Sequence, residues 1–78
     1  MSPLTRIRYE MPVYIREALE SRGLLNAYHA RPAYQQNDYL GWIGRAKRPE
    51  TKGKHLNQML DELERDGIYM NMKWQSEK

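Results

Sequence analysis

Two apolar stripes of helical spacing meet at Pro49, and they limit what this chain can become. On one side Tyr39, Trp42, Ile43 and Ala46 fall at i, i+3, i+4 and i+7. On the other, Leu56, Met59, Leu60 and Leu63 repeat the same interval, the clearest period in the sequence. Such spacing puts the apolar side chains on one face of a helix. A proline between the stripes cannot continue the first helix, but it suits the first turn of the second, where a missing N–H costs nothing. The spacing therefore predicts one helix over 33–46, opened by Pro32, and another over 49–66. Glu50 suits the dipole at the start of the second, and Gly67 is expected to end it.

The remaining segments are shorter. Ile15, Ala18 and Leu19 form one apolar stripe after Pro12, and Gly23 is a natural stop, so a helix is expected over about 12–22. Leu24, Leu25, Ala27 and Tyr28 predict a short helical turn, closed by Arg31-Pro32, because a residue before proline avoids the helical region. Gly41 and Gly44 weaken the 33–46 helix, and close approach of another helix is the expected reason. At the two ends, Ile7 and Tyr9 in an arm and Ile68, Met70, Met72 and Trp74 in a tail alternate with polar residues. That period-two pattern predicts that arm and tail pack together or pair as short strands. The fold class expected is all-α: a small bundle of three main helices plus a short helical turn, in a single domain over 1–78, with residues 1–8 as arm and 68–78 as tail.

With 78 residues the core must be thin, since a chain this short buries only about 60% of its unfolded surface. Trp42, Ile43, Leu56, Leu60 and Leu63 are expected to be among its most buried residues. There is no Phe, so six Tyr and two Trp supply the aromatic bulk. These rings suit the edge of a core, with their polar tips wet. There is no Cys, which excludes disulfides and thiolate metal sites. No apolar run approaches a membrane span and the first residues lack the apolar stretch of a leader, so a cytoplasmic protein is expected. A net charge of +3 is compatible with an acidic partner without demanding nucleic acid.

Arg45, Lys47, Arg48, Lys52 and Lys54, with His55 beside them, form a basic elbow around Pro49. Two readings apply. Arg45, Lys47 and Arg48 complement the exposed carbonyls in the last turn of the first helix. Lys52 and Lys54 stand in the opening turns of the second, where positive charge is unfavourable, and so point to an anionic partner. A helix-turn-helix-like nucleic-acid binder is the alternative, since it shares the outline of two helices and a tight basic turn. Against it, Asp61, Glu62, Glu64 and Asp66 make the later half of that helix acidic, as a solvated face that would repel phosphate. The aromatic residues Tyr14, Tyr34, Tyr39, Trp42, Tyr69 and Trp74 exceed what a thin core needs. Tyr39 and Trp74 are the candidates for a partner-binding patch.

Signals of chemistry are weak. His29 and His55 lack the companions of a zinc site. Ser2, Ser21 and Ser76 have neither a glycine elbow nor an adjacent His, and there is no phosphate loop. No enzyme activity, metal or cofactor is expected.

The run Trp42-Ile43, then Ala46-Lys47-Arg48-Pro49-Glu50-Thr51, resembles the signature of the bacterial YdeI/OmpD-associated family almost residue for residue. The start at Glu10-Met11-Pro12 with Arg16-Glu17-Ala18-Leu19 is similar to the opening of the same helical region. The resemblance covers residues 9–67. Members usually show Arg at Lys52 and His55 and a basic run at Gln35-Gln36-Asn37-Asp38, so this chain has a diluted basic surface. Many members carry a preceding β-barrel-like domain. The resemblance implies a helical fold, a bacterial origin and a non-enzymatic interaction module with a protein partner. It also implies links to envelope stress, to bacteriocin or cationic-peptide protection and to an outer-membrane porin.

Overall fold

The computed structural model describes residues 9–73. Its elements run α1 (Val13–Ser21), α2 (Leu25–Ala30), α3 (Ala33–Arg45), α4 (Pro49–Arg65), β1 (Ile68–Tyr69) and β2 (Met72–Lys73). The all-α bundle expected from the stripes is present, with α2 as its short turn. Pro12, Pro32 and Pro49 stand at the three helix starts, the first two as caps and Pro49 inside the first turn. Gly23 follows α1 in the left-handed conformation (φ 68°), which glycine adopts without a side-chain clash. At the end of α4 the sequence points to Gly67, but Asp66 takes the left-handed cap (φ 54°) and donates its N–H to the Glu62 carbonyl at 2.9 Å. Asp tolerates that conformation better than most residues.

The core lies where the stripes of α1, α3 and α4 converge: Ile15, Leu19, Tyr39, Ile43, Met59, Leu60 and Leu63 are buried, joined by Leu24 and Tyr28 at the α2 side. Trp42 and Leu56 are only half-buried at its margin, a correction to their expected place among the deepest residues. The Trp42 ring stacks on His55 of α4, which is itself no part of the core cluster. Among the described residues no helix is long and apolar enough to cross a membrane.

The arm expected over residues 1–8, and with it the expected contact between arm and tail, lies outside the described residues. The tail folds on itself, Ile68 opposite Lys73 and Tyr69 opposite Met72 in an antiparallel hairpin. Tyr9, the first described residue, instead donates its N–H to Asn37 Oδ1 at 2.9 Å and lays its ring over α3 at Gly41. A Cβ at Gly41 would meet Tyr9 Cε2 at 2.7 Å, so this glycine admits an aromatic ring and not a second helix. A Cβ at Gly44 would meet nothing within 4 Å. Ile7 and Trp74 lie outside the described residues.

Candidate functional site

The elbow is built from the way α3 ends. Ala46 N–H reaches only Ile43 O, at 3.3 Å, and the chain runs extended through Ala46 and Arg48. The last carbonyls of α3 thus need other donors. Two come from α4. Lys52 Nζ donates to Gly44 O at 3.4 Å, and His55 Nδ1 stands 3.3 Å from Trp42 O. A carbonyl can only accept, so that contact assigns the proton to Nδ1. The His55 ring also stacks on Trp42, centroids 3.9 Å apart and planes within 10°.

These contacts change the reading of the basic residues. Lys52 follows from geometry: it folds back from the first turns of α4 and places its charge at the negative end of α3. Only Arg45 lies in the last turn of α3, while Lys47 and Arg48 belong to the connection. Arg45, Lys47, Arg48 and Lys54 are exposed, and no acidic side chain pairs with them among the described residues. The ion pairs there lie elsewhere, Arg16 with Glu20 and Arg22 with both Asp61 and Glu64.

Arg45 also borders a shallow cleft of about 410 Å³, walled by Trp42 and Gly41 of α3, by Tyr9, and by Tyr69 and Met70 of the hairpin. Asp38 lies in the same cleft and accepts the Tyr69 hydroxyl at 2.6 Å. Burial and the neighbouring Asp38 carboxylate raise the Tyr69 phenol, which stays a neutral donor. Tyr28 is likewise pushed up to about 12 by burial.

The second set of polar residues was not foreseen. Tyr39, expected as a partner-binding aromatic, is 0% exposed and belongs to the core. Its hydroxyl donates to Glu62 Oε1 at 2.5 Å, and burial, with that carboxylate, raises the phenol strongly. Glu62, expected on a solvated face, is 3% exposed, whereas Asp61, Glu64 and Asp66 do face solvent. Arg31 and Gln35 are buried beside them: Arg31 donates to Gln35 Oε1 at 3.1 Å and to the Glu62 and Ile68 carbonyls at 3.0 Å each. The signal available in the sequence was position. Gln35 stands one turn before Tyr39 on the α3 stripe, and Glu62 lies at i+3 from Met59. Trp74, the other aromatic candidate, lies outside the described residues. Among those described, no group of three His, Asp or Glu side chains is arranged to hold a metal ion.

The family model described as bacteriocin-protection, YdeI or OmpD-associated matches residues 8–66. The chain belongs to that family. No curated protein and no solved structure matches it.

Proposed function

We propose that this member of the bacteriocin-protection, YdeI or OmpD-associated family is a non-enzymatic interaction module that docks an acidic protein surface on its basic elbow. The supporting observation is the division of labour among the cations. Lys52 and His55 cap the carbonyls of α3 and hold the turn in one geometry. Arg45, Lys47, Arg48 and Lys54 are left exposed, with no acidic partner among the described residues. Cations on a braced turn lose less freedom on binding than cations on a loop, which favours recognition of carboxylates. The biological setting proposed is bacteriocin protection, the one in the family's description, with a protein partner inside the cell.

Affinity capture from a bacterial extract tests this. Tagged wild-type protein is expected to retain a specific protein, and raising the salt should release it, because exposed charges are screened within about 10 Å at 0.1 M. Retention that is indifferent to salt would contradict an electrostatic docking surface. Capture of nucleic acid in place of protein would transfer the same surface to the other partner class.

A further inference from the structure

The hairpin turns through Met70 and Asn71, both in the left-handed region (φ 51° and 65°). Two positive-φ residues in succession are what a tight two-residue hairpin turn demands, and Gly, Asn and Asp are the residues that supply them. Asn71 suits its position. Met70 does not, because its Cβ crowds the backbone there. The turn is thus a poor closer by itself, and the strands it joins are only two residues each.

What holds the turn lies in α4. The Met70 N–H donates to Glu62 Oε1 at 2.8 Å and the Asn71 N–H to Glu62 Oε2 at 2.9 Å. Consecutive backbone N–H groups facing one way make a concavity for an anion, and here a buried side chain of the same protein fills it. The same oxygens accept Tyr39 Oη at 2.5 Å and Gln58 Nε2 at 2.9 Å. Each carboxylate oxygen therefore serves one donor from the helices and one from the turn. β1 has anchors of its own, Arg31 on the Ile68 carbonyl and Asp38 on the Tyr69 hydroxyl. β2 is exposed, Met72 to 60%.

We propose that Met70–Lys73 is a strap latched by the ionised Glu62 carboxylate, and that it opens as a unit, with α1–α4 still folded, when that charge is removed. Met70 forms part of the wall of the cleft that also contains Trp42 and Arg45, so opening would widen the surface beside the elbow. Burial alone would push the Glu62 carboxyl up; the donors Tyr39, Asn71, Met70 and Gln58 outweigh it and hold the group below its ordinary 4.5. The latch is complete above the ordinary carboxylate range and is lost as pH falls through and below it. The groups facing Glu62 are Arg31 from the end of α2, Tyr39 from α3, Gln58 from α4, and Tyr69, which is in turn bound to Asp38. Asp38 is a second carboxylate in contact with the hairpin, so the test is made at neutral pH by substitution and not by acid.

The experiment is amide hydrogen exchange of the full chain, read by NMR at pH 7. In Glu62→Gln one of the two accepting oxygens becomes an NH2 group, so a turn N–H faces a donor, and exchange at Met70 and Asn71 should accelerate by about tenfold or more beyond any acceleration of the core amides in α1 and α3. Adding Met70→Gly, which removes the left-handed crowding, should restore several-fold protection. In the wild type, urea should accelerate exchange at Met70 and Asn71 with a shallower slope than at the core amides of α3 and α4, as expected for a local opening. Unchanged exchange at the turn in Glu62→Gln, an acceleration shared equally with the core, or a wild-type urea slope equal to that of the core would each overturn the strap.

Discussion

At one end of α4 a carboxylate is buried beneath four donors, while at the other end cations stand in water with no acidic partner among the described residues. Glu62 and Lys54 belong to the same helix, and both were read from the sequence as surface charge. The difference lies in what each charge does to its surroundings. Glu62 lost its water, which is tolerable only because hydrogen bonds replace it, and it thereby fixes Tyr39, Gln58 and the hairpin turn relative to one another. Arg48 and Lys54 keep their water and fix nothing. Their positions are set instead by Pro49 and by the caps that Lys52 and His55 supply to α3. A buried charge with every site filled is committed to the fold. An exposed charge held by its neighbours is available to a partner.

The comparison can be tested at both ends and at its hinge. The largest expected effect belongs to the shared core: Leu60, 3% exposed, should cost about 2–5 kcal/mol on replacement by Ala, measured by urea unfolding. That is a large part of the stability of a domain this small. An unchanged midpoint would show that the apolar stripe of α4 does not carry the bundle.

Next in size is Glu62→Gln, which leaves a buried donor without its acceptor and should cost about 1–3 kcal/mol. Its pH dependence sharpens the point. Because the native carboxyl is held below 4.5, wild-type stability should be level above that range and fall as the pH drops through it. The variant should lose part of that acid sensitivity. Identical acid unfolding profiles for the two proteins would remove Glu62 from the account. Tyr39→Phe deletes one donor to the same carboxylate and should cost less than the glutamine variant, about 1–2 kcal/mol by thermal or urea unfolding; a loss larger than that of Glu62→Gln would mean the phenol and not the carboxylate organises the site.

How much of this was legible follows from which interactions are local. The helices and their proline starts are local, and Leu56, Met59, Leu60 and Leu63 placed the inner face of α4 correctly except at the marginal Leu56. The basic elbow was visible as composition, but the capping of Gly44 by Lys52 was not, because it depends on how sharply the chain turns between Ala46 and Arg48. Glu62 was hidden among acids of the same type. Only its position beside Met59 and Leu63 distinguishes it from Asp61 and Glu64, and all its donors but Gln58 come from outside α4, Tyr39 from 23 residues away. Alternation of Ile68, Met70, Met72 and Trp74 suits a strand or a loose apolar tail, while the chain reverses at Met70-Asn71 without the glycine that usually announces such a turn. Tyr39 illustrates the limit for aromatics: its spacing marked it as core-facing, and its polar tip made it look like a binding residue.

The smallest expected effect on stability is also the most direct measurement of the central claim, that the exposed end of α4 serves recognition and the buried end serves the fold. Arg48→Glu combined with Lys54→Glu reverses two exposed charges and leaves Lys52 and His55 on the carbonyls of α3. The unfolding free energy and the affinity capture are measured on the same preparation. The account predicts a stability within about 0.5 kcal/mol of wild type and loss of the captured protein. A folded double variant that retains its partner undiminished would contradict it.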